Sequence, residues 1–199
     1  MILSFDVEEH YRIEAAVGLQ IDQRFKAACR NRVDSMVHWL LDLLESRDVK
    51  ATFFVLGCIA QSNAELVRRI HRSGHEVGSH GWDHRSLLRM SPSEFREDLH
   101  RSRTSIEDAI GVAIAGYRAP TFSITRRTAW ALDILAESGM RYDSSIFPVR
   151  HDRYGIPDAP REPFVVLGTS HEIIVLPPAT VKIARVNVPL GGGRSATAD

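Results

Sequence analysis

Residues 51–84 read ATFFVLGCIAQSNAELVRRIHRSGHEVGSHGWDH, and the fold class turns on this stretch. Residues 51–56 are an unbroken apolar run closed by Gly57, the pattern of a buried strand. Ser62-Asn-Ala-Glu65 has capping-box spacing, in which the hydroxyl accepts from an orphan amide and the glutamate reaches back. The helix opened there is predicted to stop at Gly74, because glycine takes the left-handed backbone that ends helices. Residues 75–78 then read as a second short strand. Strand, helix, strand is the unit of a parallel sheet with helical crossovers.

The alternation extends both ways. Upstream, residues 2–7 form a strand, and Val33, Met36, Val37, Leu40, Leu41 and Leu44 recur at helical spacing. Downstream, Ser91-Pro-Ser-Glu94 repeats the capping signature with proline at the first helical position, starting a helix that runs to about Ile110. Residues 113–117 are strand-like, residues 125–138 helical with a stop at Gly139, and residues 140–143 and 172–176 complete six strands. The class is α/β, either a barrel or an open doubly wound sheet. Two segments break the rhythm. The connection over residues 8–32 is long enough to be functional or to carry its own structure. After Pro177 the chain reads as irregular and ends in a glycine-rich tail.

Composition excludes several classes. The 199 residues are 44% hydrophobic and 25% charged, with 25 basic residues balancing 25 acidic ones, so no basic stripe marks a nucleic-acid or anionic-membrane partner. Only Lys26, Lys50 and Lys182 are lysines; the arginine excess reads as a solvated surface. The longest apolar stretch, residues 53–60, falls far short of the roughly 20 residues that span a bilayer. The N-terminus lacks the pattern of a signal peptide, so a cytoplasmic location is expected. Two cysteines, Cys29 and Cys58, exclude a disulfide scaffold; Cys58 reads as a buried small hydrophobe, and Trp39 and Trp130 read as core.

In parallel α/β folds, sites gather where strands end. After the first strand come Asp6, Glu8, Glu9 and His10; after the third, His80 and His84; after the fourth, Arg118; after the fifth, Asp143. The histidines, four apart, can reach one cation, although two surface histidines on one turn would look the same. Strand parity puts Asp6 and Glu8 on one face and Glu9 on the other, where it reads as an ordinary acidic loop residue. One carboxylate and two imidazoles make a facial site with open positions, suited to zinc or non-haem iron. Arg118 is placed to hold Asp6 ionised, unless it forms only a surface ion pair. For Asp143 the ordinary alternative is turn capping. Trp82, Phe122 and Phe147 sit in the same loops, where sugar stacking and loop packing are equally open.

Four motifs, Ser-Phe-Asp6-Val-Glu8-Glu, Ser-His80-Gly-Trp-Asp-His84, Tyr-Arg118-Ala-Pro-Thr-Phe-Ser and Tyr-Asp143-Ser-Ser-Ile-Phe-Pro, occur in the order and rough spacing of NodB-type polysaccharide deacetylases (carbohydrate esterase family 4). The run Arg150-His-Asp-Arg-Tyr-Gly-Ile-Pro-Asp-Ala-Pro160 resembles the bacterial subgroup tied to exopolysaccharide biosynthesis and exosortase systems. The resemblance implies a distorted (β/α) barrel, typically of seven strands, with one divalent metal, usually zinc. It implies Asp6 as general base, Glu8, His80 and His84 as metal ligands, and Arg118 as the residue that orients the base. Thr121 would lend a backbone N–H to the oxyanion, Phe122 and Trp82 would face substrate, and Asp143 would tune a general-acid histidine. The subgroup supplies that histidine in a His-Pro-Trp-Glu segment, which this sequence does not contain. His171 precedes a strand rather than following one, so the role falls to no residue. The expected domain is 1–193, incomplete at its C-terminus, with 194–199 an unrelated tail. The expected activity is metal-dependent release of acetate from N-acetylated amino sugars of a polysaccharide. A small cyclic amide hydrolase (allantoin or imide type) and a truncated, non-catalytic carbohydrate-binding protein are the alternatives.

Overall fold

The computed structural model describes residues 2–12, 16, 18–168, 171–184 and 186–191. The expected tail and the domain boundary at 193 lie outside the described residues. In chain order the elements are β1 (Ser4–Val7), α1 (Gln23–Ser46), β2 (Thr52–Val55), α2 (Gly57–Ser62), α3 (Ala64–Arg72), β3 (Glu76–Ser79), α4 (Pro92–Ile110), β4 (Gly116–Tyr117), α5 (Trp130–Glu137), β5 (Tyr142–Asp143), β6 (Phe164–Leu167), β7 (Glu172–Val175), β8 (Thr180–Ile183) and β9 (Val186–Pro189). Seven strands form one mixed sheet in the order β1-β2-β3-β4-β5-β7-β6. The six expected strands are its parallel members. The seventh, β6, runs antiparallel to β7 along the edge.

Register sorts the side chains into two faces. Asp6 pairs with Phe54 and Phe54 with Gly78, so these residues share a face with Ser4, Thr52 and Glu76. That face is the barrel interior, and it is crowded at its centre. A Cβ on Gly116 would fall 2.1 Å from the Tyr142 ring, and one on Gly78 would meet the Phe54 ring at 2.9 Å. Only glycine leaves room for the two aromatic rings, whose centroids lie 6.4 Å apart edge to face. The opposite face packs on the helices: Phe53, Val55, Val77 and Tyr117 are buried there with Leu99 and Ile106 of α4.

Local chemistry explains the helix ends. α4 starts with the expected capping box: Ser91 Oγ accepts from Glu94 N at 3.3 Å, and Glu94 Oε2 accepts from Ser91 N at 2.7 Å. The expected box at Ser62 and Glu65 does not form. Residues 57–62 make a separate short helix, so Ser62 is its last residue and donates to the Cys58 carbonyl. Asn63 caps α3 instead, accepting from Leu66 N at 3.2 Å. α1 begins at Gln23, capped by Asp22, so its first turns fill part of the long connection after β1.

Three expectations are corrected. Trp39 lies on the outer face of α1 and is 58% exposed, whereas Trp130 packs edge-on against Phe95. Cys58 is only half-buried, at the margin of the core. The segment after Pro177 is not irregular: β8 and β9 pair as a hairpin across a two-residue connection, with Ala184 at φ +54°. No helix among the described residues is long and apolar enough to cross a membrane.

Candidate active site

β1 and β3 lie on either side of β2, and their carboxyl ends bring Glu8 and His80 to one end of the barrel interior. One ligand atom each from Glu8, His80 and His84 lies within 4.8 Å of the other two. Glu8 Oε2 is 2.5 Å from His84 Nε2 and 3.9 Å from His80 Nε2. Glu8 Oε2 and His84 Nδ1 are buried without a hydrogen-bond partner among the described residues. A buried polar atom left unpaired costs on the order of 1–3 kcal/mol, and a cation held between Glu8 and the histidines would remove that cost for Glu8 Oε2. Carboxylate oxygen and imidazole nitrogen are the donors zinc takes, so the residues fit a divalent cation.

His80 is oriented from behind. The buried His80 ring lies with Nδ1 2.8 Å from the Arg118 carbonyl oxygen, so Nδ1–H donates and Nε2 keeps its lone pair for the site. Burial pushes the His80 pKa down, with the nearby Asp6 and Glu8 charges opposing it. Neutral imidazole is the form a metal needs. His84 sits at φ +58°, a left-handed conformation that costs a non-glycine residue about 1–2 kcal/mol. Thr121 (φ +54°) and Phe122 (φ +50°) share this strain in the loop after Arg118. Such backbone collects where structure is held for function.

Arg118 fastens the neighbouring carboxylate. Its guanidinium donates to Asp6 Oδ1 at 2.9 Å, to Ser4 Oγ at 2.8 Å, and to the Ser144 hydroxyl and carbonyl at 2.9 and 3.2 Å. It also lies over the Phe54 ring, 4.3 Å from the centroid. The side chain is 8% exposed against 25% for Asp6, so this is no loose surface pair. The second Asp6 oxygen has no hydrogen-bond partner among the described residues, and a quarter of the Asp6 side chain is exposed. Ser144 Oγ in turn donates to the Leu176 carbonyl, tying β7 to the arrangement.

Asp143 acts one layer below. It is fully buried and accepts from Ser145 N at 2.9 Å and from the Ser145 hydroxyl. That hydroxyl accepts from Ala119 N at 2.7 Å, so Asp143 steadies the loop that carries Arg118 and Thr121. Burial pushes the Asp143 pKa up to about 6, against the pull of the Ser145 donors. No histidine is among its hydrogen-bond partners in the described residues.

Trp82 packs against α4. Its ring lies under the Arg101 guanidinium, 3.6 Å from the centroid, and its backbone N–H donates to Asp98. Phe122 joins Phe147 and Tyr154, with ring centroids 5.0 and 5.9 Å away, and His151 stacks on Tyr154 at 3.9 Å. His171 precedes β7 and therefore lies at the opposite end of the sheet. Ser4 and Ser144 escaped the sequence reading, although both share the strand parity of Asp6 and Arg118. Parity extended one step each way would have found them.

Likeness to known proteins bears on the family and the fold. The profile of the family described as polysaccharide deacetylase covers residues 19–142, and that of a domain of unknown function (DUF3473) covers residues 144–195. The second stretch is no separate unit in the fold: it carries Ser144, and its β7 lies in the sheet beside β5. A peptidoglycan-N-acetylglucosamine deacetylase of Listeria monocytogenes is 36% identical over 95 residues, 48% of this chain and 20% of that protein. The chain therefore spans about a fifth of that relative's length. A provisionally named polysaccharide deacetylase of Mycobacterium smegmatis superposes with a TM-score of 0.69 at 28% identity, covering 88% of this chain and 57% of the other. The Puue allantoinase superposes with a TM-score of 0.66 at 18% identity over 88% of this chain and 60% of its own, a likeness of fold alone.

Proposed function

Because the chain belongs to the polysaccharide deacetylase family, we propose that it hydrolyses the acetamide of N-acetylated amino-sugar residues in a polysaccharide or oligosaccharide, releasing acetate and a free amine. The observation that carries this reading is the convergence of Glu8, His80 and His84 beside an Asp6 held by Arg118. A divalent cation held by those three ligands, zinc as the family resemblance implies, would polarise the acetamide carbonyl and acidify the attacking water. Asp6 accepts the water's proton through its unpaired oxygen as the new C–O bond forms. Arg118 holds the aspartate fixed, and the left-handed turn at Thr121 offers a backbone N–H to the oxyanion. As the C–N bond breaks, the departing amine takes up the proton held by Asp6. Asp143 contributes by steadying the arginine loop, and Phe122, which follows Thr121 in that loop, is assigned to the wall that the sugar passes.

An open approach favours a polymer over a small cyclic amide. Asp6 and Glu8 keep about a quarter of their side chains exposed, where a small amide would call for an enclosing pocket. The test is acetate release from an N-acetylglucosamine oligomer. Activity is expected to vanish with a chelator, to return with zinc, and to fall by about 10²–10⁴-fold in Asp6→Asn. Full activity of Asp6→Asn would remove the base assignment. Metal binding without turnover of any N-acetylated oligomer would favour the non-catalytic carbohydrate-binding alternative.

A further inference from the structure

Glu9 is the residue that the acidic-loop interpretation discounts, yet it is only 2% exposed. The strand pleat explains the split: Glu8 points into the barrel, and Glu9 points behind it. There Glu9 Oε2 accepts from Arg12 Nε at 2.6 Å, and Oε1 accepts from the Tyr11 hydroxyl at 3.2 Å. The turn is closed by the Arg12 N–H donating to the Glu9 carbonyl at 2.8 Å. Arg12 then reaches across the molecule and donates through Nη1 to Asp83, the residue immediately before His84.

From this geometry we propose that Glu9, Arg12 and Asp83 form a positioning strap that sets the separation between Glu8 and the two histidines. The inference rests on the metal-site reading above and deepens it. Both anchors of the strap adjoin ligands: Glu9 follows Glu8, and Asp83 precedes His84. The two segments are not adjacent in the sheet, since β2 lies between β1 and β3. A surface ion pair would contribute little, but Arg12 is 19% exposed and the Glu9 side chain 3%. Glu9 therefore has no water to fall back on, and Arg12 holds the strained His84 turn against the exit of β1. Arginine suits the task because its planar fork serves two carboxylates in fixed directions, which a lysine ammonium cannot do.

Zinc affinity, read by competition with a chromophoric chelator, tests the strap without reference to turnover. Arg12→Gln is expected to weaken zinc binding about 10- to 100-fold, the range for residues that orient metal ligands. Arg12→Lys is expected to recover part of the loss. Asp83→Asn, altered at the half-exposed end where folding is not at stake, is expected to weaken binding less than Arg12→Gln does. The double variant Arg12→Gln/Asp83→Asn is expected to bind no worse than Arg12→Gln, because one path is being cut twice. Thermal unfolding of the metal-free variants separates positioning from bulk stability. A lowered midpoint with wild-type zinc affinity in Arg12→Gln and Asp83→Asn would overturn the strap and leave the site intact. A wild-type chain that binds no zinc would overturn the site itself, and the strap with it.

Discussion

β2 and β6 are both four-residue apolar strands of one sheet, and they live in different surroundings. Every residue of β2 is buried, whereas β6 alternates between half-buried and exposed. Val165 of β6 pairs with Ile174 of β7, and these are 53% and 44% exposed; Leu167 reaches 80%. Ile174 pairs with Tyr142, so this uncovered surface is the interior face of the sheet, continued past β5. At β1–β5 that face is filled by Phe54, Tyr142 and the Arg118 network; at β7–β6 it is open. The helix-facing side carries most of the packing, while the interior side is half-open and holds the candidate site. Stability and function thus sit on opposite faces of the same strands.

Arg118 is the tie between the two regions, and its loss is expected to have the largest effect. It bonds Asp6 and Ser4 of β1 on one side and Ser144, itself bonded to Leu176, on the other. Arg118→Lys keeps the charge but cannot span these acceptors at once. Turnover is expected to fall about 10²–10⁴-fold, the scale on which a positioned base contributes. Zinc content should be unchanged, because His80 is held by the backbone carbonyl of residue 118 rather than its side chain. Kinetics together with metal analysis check this; loss of metal alongside turnover would mean that the arginine holds the loop rather than the base.

The packing face is probed by truncation. Phe53→Ala is expected to cost about 3–5 kcal/mol of unfolding free energy, and Val165→Ala under about 0.5 kcal/mol. Denaturant titration of the two variants measures the ratio directly; comparable losses would show that the β6 surface is covered in solution.

That contrast also marks what the sequence made legible. The six parallel strands and the helix at Ser91 were readable because burial on both faces leaves continuous apolar runs, and because a capping box is a local event. The candidates Glu8, His80 and His84 followed from parity and strand ends, and the structure brings those three together, with the Asp6 charge felt at His80. β6 was missed although Pro163 and Gly168 bracket it, because an antiparallel edge breaks the strand–helix rhythm being tracked. The β8–β9 hairpin was missed because its connection lacks the Asn-Gly signature that usually marks a two-residue turn. Glu9 was misjudged because strand parity says nothing of a side chain that folds back over the turn, as Arg12 does three residues on.

A smaller effect is expected from Asp98, on the helix side of the site loop. It is mostly buried, accepts from Trp82 N at 2.9 Å, and burial pushes its pKa up to about 6. Its folded pKa therefore lies above the unfolded value near 3.9. The stability it contributes is fully present below pH 4 and is lost as pH rises through 6, because the folded state resists ionisation. Asp98→Asn keeps an acceptor for Trp82 and cannot ionise. Its melting temperature is expected to rise relative to wild type between pH 4 and 7, with the gap levelling off above 7. A gap that stays constant across that range would show that Asp98 ionises as freely folded as unfolded.

The smallest effect in stability terms falls on the open surface. Leu167 is 80% exposed on an edge strand whose outer hydrogen-bonding side faces no other strand among the described residues. An apolar edge of this kind templates pairing with other chains, and a charge there blocks it. Leu167→Lys removes no buried contact, so unfolding free energy should move by less than about 0.5 kcal/mol. Light scattering at raised concentration should fall relative to wild type, because a desolvated lysine would be the cost of edge-to-edge contact. Unchanged scattering together with a destabilised fold would reverse the comparison, since Leu167 would then be packing against something that its exposure conceals.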